Sequence, residues 1–425
     1  MRSIEYPDIG ETLYEDRLEN GLRIFVVPKP GFSTSFAGFA VDYGGAYRDF
    51  TADGKEVHTP AGIAHFLEHK MFDMPDGDSA INLLCANGAD PNAFTDFDMT
   101  FYYFSCTKNF YDNLKLLLKF VSTPYFTPET VQKEQGIIGQ EIRMVEDEPG
   151  QAVFYNLMKL LFPGHPISCE IAGTVESIAG ISDKTLYDCY GTFYRPSNMI
   201  LCVVGDVDPE EVIKTADREL SPEFRSAPEP VLPDKTDFIP EKKLVREYME
   251  VSAPQFMAGA GFRPAEAGKR LMRQELIARL SMRLLAGSSS PLYLKLYSDG
   301  LIDRSFDYDC DYSANMAFVS IGGESPDPEK VLEAFSAEAV RTVREGIDPE
   351  CFERAKRATL GAKLRGFEDF GSVCASMAAC GFDGYRTFDT PAELADIKIS
   401  DCEAFIREVL DPDRLAISII ETKRS

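Results

Sequence analysis

The chain has 425 residues, 44% hydrophobic and 27% charged, the composition of a folded protein too long for one ordinary core. Its 44 Lys and Arg against 69 Asp and Glu leave a net charge of −25; such a surface repels phosphate backbones and anionic lipids, so neither nucleic acid nor membrane is expected as a partner. The first residues lack the apolar core of a secretory signal, no run of about 18 apolar residues occurs, and the ten cysteines form no CxxC pair, the usage of reduced thiols in a cytoplasmic protein.

In chain order, 22–28 (LRIFVVP) reads as a strand after the Asn20-Gly21 turn, and 35–43 as a second strand. A helix is expected near 60–73, with Pro60 suited to its first turn. Asp76-Gly77-Asp78 is a break, 79–86 a short helix and 88–93 a loop. Residues 94–95 and 100–106, rich in aromatics and Thr, read as strands. Residues 109–123 have Leu114, Leu117, Leu118 and Val121 on one helical face, and 128–145 is a longer helix. Helices follow at 152–161 and 182–193, then a strand at 198–204 and a helix at 209–220.

Five prolines in 221–240 mark an extended spacer, and after it the pattern restarts. Strands are expected at 244–251, 255–262, 305–310, 316–322 and 414–420, and helices at 270–285, 328–344, 348–364, 368–381 and 399–410. Both halves run in the same order, which points to an architectural repeat. The expected fold class is α+β, two homologous αβ domains, each a mainly antiparallel sheet flanked by helices. The domains are 1–221 and 242–425, joined by the linker 222–241.

The residues that carry chemistry lie in 61–72, AGIAHFLEHKMF. On a helix His65 and His69 leave from one face, with Glu68 between them in angle. A lone histidine on an apolar helix is usually a satisfied core residue. Here two of only four histidines flank a glutamate, and burying all three groups unpaired would be costly. A catalytic zinc site needs such a grouping, plus a third protein ligand and an open position. Glu134 and Glu141, seven apart on the 131–146 helix, share one face; without the histidines each would read as a solvated acid. Zinc lowers the pKa of water to about 7. Glu68 would take the water's proton and later deliver it to the leaving amine, which is peptide-bond hydrolysis. A structural zinc site, usually closed by four ligands and often by Cys, is disfavoured because no Cys flanks the motif.

H-x-x-E-H is the inverted zincin order. With NAFT and ExxxxxxE after it, AGIAHFLEHKMF resembles the pitrilysin/insulinase family of zinc peptidases, which includes the mitochondrial processing peptidases and bacterial half-length relatives. The resemblance is strongest over 18–210 and extends through Leu18-Glu19-Asn20-Gly21-Leu22, Gly173-Thr174, Tyr194-Arg195-Pro196-Ser197-Asn198-Met199 and Gly205-Asp206. It implies that His65, His69 and Glu141 hold one Zn2+ per chain. Glu68 and Glu134 are then the catalytic carboxylates, Glu68 as general base and Glu134 just outside the ligands. Asn92, Ala93 and Phe94 match the segment where the family pairs substrate backbone with an edge strand. The family fold implies two homologous αβ domains per chain and a clam-shell chamber for short or unfolded peptides, completed by the C-terminal domain.

Active members place an Arg and a Tyr in the second domain to hold the substrate carbonyl. The matching stretch, 288–308, offers Tyr297, Arg304 and Tyr308, and Arg304 and Tyr308 lie closer together than the family's pair. A homologous partner subunit is therefore expected to supply this clamp, with a heterodimer favoured and a homodimer the alternative. His58, in a charged loop, and His165, in Pro163-Gly164-His165-Pro166, are expected to have no catalytic role. The resulting reading is a cytoplasmic zinc endopeptidase acting on short peptides or leader sequences. The alternative is a non-catalytic assembly subunit of the same family, against which the intact HxxEH and Glu141 speak.

Overall fold

The computed structural model describes residues 1–52, 54–223, 225, 229–230 and 239–423, so most of the expected linker at 222–241 lies outside the described residues. Strands β1 (Arg2–Tyr6), β2 (Glu11–Arg17), β3 (Arg23–Pro28) and β4 (Ser35–Val41) come first, then the short pair β5 (Asp49–Ala52) and β6 (Lys55–His58). Helices α1 (Ile63–Met71) and α2 (Ala80–Ala86) precede strands β7 (Ala89–Thr95) and β8 (Thr100–Cys106). Next are α3 (Phe110–Val121), α4 (Pro128–Glu146), α5 (Pro149–Leu161), α6 (Val175–Ile178), α7 (Asp183–Phe193), β9 (Met199–Gly205), α8 (Pro209–Glu219) and the two-residue β10 (Glu229–Pro230). The remainder forms β11 (Leu244–Met249), β12 (Gln255–Phe262), α9 (Lys269–Ala286), α10 (Pro291–Ser298), β13 (Asp307–Ser313) and β14 (Met316–Glu324). It closes with α11 (Pro328–Glu345), α12 (Pro349–Gly366), α13 (Phe370–Phe382), α14 (Thr390–Asp396), α15 (Ile399–Val409) and β15 (Ala416–Thr422).

Two compact units result, each assembled from three stretches of sequence. One comprises Met1–Ile142, Glu170–Leu232 and Leu364–Phe388; the other Arg143–Cys169, Pro233–Lys363 and Asp389–Ser425. The first unit has a seven-stranded sheet in the order β1-β2-β3-β9-β4-β8-β7. Only its β3–β9 pair is parallel. β4 and β9 are buried along their whole length, which explains their continuous apolar runs: both faces are covered. On one face Phe39 and Leu201 pack with Phe66, Leu117, Leu118 and Phe193. On the other, Phe36, Ile200 and Val204 pack with Val373, Cys374 and Met377 of α13. That helix comes close because Gly381 has no side chain; a Cβ there would lie 2.8 Å from Ile200 and 2.9 Å from Phe25.

The second unit has a five-stranded sheet in the order β11-β15-β12-β14-β13. Again the first pair is parallel and the others antiparallel. This reproduces β3-β9-β4-β8-β7 strand for strand, so the repeat read from element order is a repeat of topology.

Some expectations need correction. Residues 88–93 are not a loop; from Ala89 they form most of β7. Pro91 fits a strand here because β7 is the sheet's edge, where a missing N–H can face outward. His58 lies on β6, exposed and 2.7 Å from Asp49 Oδ1, rather than in a loop. Pro60 precedes α1, which starts at Ile63 after Gly62. Gly62 has φ +92°, and a Cβ on it would meet the Ala172 carbonyl at 2.4 Å. Gly62→Ala is therefore expected to lower the unfolding free energy by about 1–3 kcal/mol. Urea denaturation of the metal-free protein measures this, and an unchanged midpoint would show that the turn relaxes.

Candidate metal centre

α1 is fixed in rotation by Phe66, Leu67 and Met71, each fully buried. Each contributes roughly 1.5–3 kcal/mol of burial, so the opposite side, with His65 and His69, faces outward from the core. Their ring centroids are 4.6 Å apart. α4 buries Val131, Ile138 and Ile142, which turns Glu134 and Glu141 toward that pair. His65 Nε2 lies 3.6 Å from Glu141 Oε1, and His69 Nε2 lies 3.7 Å from Glu141 Oε2. Among the described residues these three form a group whose donor atoms fall within 4.8 Å of one another. The Glu141 side chain is 42% exposed, so the group is open on one side.

The donor set fits zinc. Distances of 3.6 and 3.7 Å are too long for hydrogen bonds. They come close to the separation of about 3.4 Å between two ligands of a tetrahedral ion with bonds near 2.1 Å. Burial, followed by the charge of His69, pushes His65 down to about 4, so its imidazole is neutral, as a ligand must be. Its Nδ1 is buried without a hydrogen-bond partner. His69 Nδ1 is 3.0 Å from Glu134 Oε1, a contact that puts the proton on Nδ1 and leaves the Nε2 lone pair toward Glu141. Burial favours neutral His69, but the Glu134 hydrogen bond and three carboxylates outweigh it, and its pKa lies above the usual value. Burial likewise pushes Glu134 upward, yet its bond to His69 wins and holds it below the carboxylate range.

Glu68 is a buried residue of α1, and burial raises its pKa against the pull of a Thr95 hydrogen bond. Thr95 Oγ1 donates to Glu68 Oε2 at 2.9 Å. Thr95 was not singled out by the sequence; the available signal was its place two residues after Ala93, on the same face of β7. The register sets Ala93 opposite Tyr102 and Phe94 opposite Phe101. Ala93 and Thr95 therefore face the side of α1, while Phe94 lies against Phe101 and Tyr103 on the α13 side. Asn92 shares the face of Phe94. Its side chain is exposed and its Oδ1 accepts the Ala93 N–H at 2.9 Å. Other residues named from the sequence lie in the second unit: Tyr297 is exposed on α10, Arg304 is exposed, and Tyr308 is on β13. His165 is buried there and its Nδ1 accepts the Ile167 N–H. None of the ten cysteines is in a disulfide, and no helix among the described residues is long and apolar enough to cross a membrane.

Residues 53–175 match the family model for insulinase, peptidase family M16, and residues 180–359 match the one described as the peptidase M16 inactive domain. YmfH of Bacillus subtilis (strain 168), an uncharacterized zinc protease, is 37% identical over 431 residues that span 100% of both chains. The mitochondrial-processing peptidase subunit beta of Caenorhabditis elegans is 29% identical over 205 residues, 47% of this chain and 43% of that one. The crystal structure of an M16-like peptidase from Alicyclobacillus acidocaldarius is similar with a TM-score of 0.93 and 32% identity, covering 99% of this chain and 100% of that one. With both domain models matched in order along its length, this chain belongs to the insulinase family, peptidase family M16.

Proposed function

We propose that the protein is a zinc metalloendopeptidase in which His65, His69 and Glu141 hold one zinc ion and Glu68 is the general base. The observation that carries this is the meeting of three donors within 4.8 Å beside a buried glutamate. A zinc ion held there supplies a Lewis acid that acidifies water and polarises the scissile carbonyl. Glu68 has Oε2 occupied by the Thr95 hydroxyl, leaving Oε1 to accept the attacking water's proton. Its raised pKa makes it a stronger proton acceptor and lets it donate the proton to the leaving amine. Glu134 holds the His69 ring in orientation through Nδ1.

β7 is an unpaired sheet edge, and its Ala93 N–H points outward to Asn92 Oδ1. A substrate carbonyl displacing that oxygen would add the peptide as a further strand, with Thr95 bringing the edge to Glu68. The substrates in this reading are short or unfolded peptides or leader sequences, cleaved in the cytoplasm. A homologous partner subunit supplies the Arg/Tyr clamp, as the word "subunit" in the name of the processing-peptidase relative would suit. A purely structural subunit would have no use for an ordered donor set.

The pH dependence of metal binding has a definite sign. Both imidazoles must be neutral to bind. In the metal-free protein the Glu134 hydrogen bond and the surrounding carboxylates hold the His69 pKa above its ordinary value, while burial pushes His65 down to about 4. Below the His69 pKa, binding therefore displaces one proton from the histidines. The apparent zinc affinity should fall about tenfold per pH unit once the pH is below the His69 pKa. Competition with a chromophoric chelator measures the slope; a slope of two would show that His65 protonates as well.

The activity itself is tested by digesting a library of unstructured peptides, before and after chelation, with zinc then restored. Cleavage lost on chelation and recovered with zinc is expected. No cleavage by the chain, alone or with a homologous subunit, would contradict the proposal. Full activity from the isolated chain would contradict the partner alone.

A further inference from the structure

Four arginines meet in one groove of the first unit, in a chain with a net charge of −25. This cavity of about 540 Å³ lies over β1–β3 and is bounded by Gly381 of α13 and by Gly384, Tyr385 and Arg386 after it. Arg2, Arg17, Arg23 and Arg386 line it. Strand register puts three of them on one sheet face: Arg17 is opposite Arg23, and Arg2 is opposite Glu15, two residues before Arg17. Like charges directly opposite one another are destabilising, so the Arg17–Arg23 pair calls for an anion above it.

The buried Asp42 carboxylate acts on Arg23 from beyond ion-pair distance, but the acids of the groove leave none over Arg17. Glu15 is taken by Arg386 through both Nε and Nη2. Asp16 lies 3.1 Å from the Met1 amine and accepts the Arg17 backbone N–H. Among the described residues no carboxylate forms an ion pair with Arg2, Arg17 or Arg23. Arg23 is anchored from below. Its Nη1 donates to the Gly381 carbonyl at 2.6 Å, and its guanidinium lies 5.3 Å from the Phe382 ring centroid. This caps the end of α13 with one arm of the fork and leaves the others for the groove. It accounts for neither Arg17 nor Arg2, both exposed.

We infer that this groove binds a small oxyanion, carboxylate or phosphoryl, between Arg17 and Arg23. A guanidinium fork matches two oxygens of either group in parallel hydrogen bonds. The site is separate from the metal group: β3 and β7 are four strand spacings apart in the sheet order, roughly 19 Å.

Calorimetric titration of the zinc-loaded protein with sodium phosphate, and separately with N-acetylglycine as a stand-in for a peptide C-terminus, tests the inference at constant ionic strength. Saturable one-site binding of one of the two is expected, and which one identifies the source. Arg17→Gln should weaken it about tenfold or more, whereas Arg407→Gln, an exposed arginine of the second unit, should leave it unchanged. Arg17 has no side-chain hydrogen bond or ion pair to lose, so a folded variant is expected; Arg2→Gln is the second arm. Absence of saturable binding by either probe, or equal affinity in wild type, Arg17→Gln and Arg2→Gln, would overturn the inference.

Discussion

Replacing Glu68 by Gln is expected to lower kcat/KM by about 10²–10⁴ while the protein keeps one zinc ion per chain. The substitution preserves shape and the Thr95 contact, since a side-chain amide can still accept the hydroxyl hydrogen bond seen at 2.9 Å. What disappears is the ability to take a proton. Metal content by mass spectrometry and turnover of a quenched fluorescent peptide separate the two effects. Loss of zinc along with activity would reassign Glu68 as a ligand. Unchanged turnover would remove it from the reaction.

His69→Ala should have the larger consequence, eliminating bound zinc and cleavage together. It removes one of three donors from the group and also leaves Glu134 with no imidazole to hold. Glu134→Gln provides the graded comparison. It keeps the ligands but weakens the contact that orients His69, and about 10–100-fold in zinc affinity or activity is expected. If Glu134→Gln abolished zinc binding as completely as His69→Ala, Glu134 rather than Glu141 would be the third donor.

The histidine pair and the two glutamates were legible because helical periodicity is local: spacings of four and seven residues fix which side chains share a face before any partner is known. That α1 and α4 pack together followed only from their apolar stripes, Phe66 and Leu67 on one, Val131, Ile138 and Ile142 on the other. Thr95 escaped notice because its value lies in a contact 27 residues away in sequence. β7 was hidden by Pro91 and Asn92, poor strand formers that an edge position tolerates. β1 and β2, amphipathic and charged, offered no apolar run, and their arginines gained meaning only through register. The helix at 370–382 was readable from composition. Its place on the sheet of the first unit was not, because helix–sheet contacts between residues more than 150 apart leave no periodic trace.

The most direct test of the account is anomalous diffraction at the zinc edge from crystals of the protein. It predicts one peak per chain, within about 2.0–2.2 Å of His65 Nε2, His69 Nε2 and a carboxylate oxygen of Glu141. A zinc-loaded crystal whose peak lies elsewhere, or one in which Glu141 turns away and no other carboxylate replaces it, would contradict it.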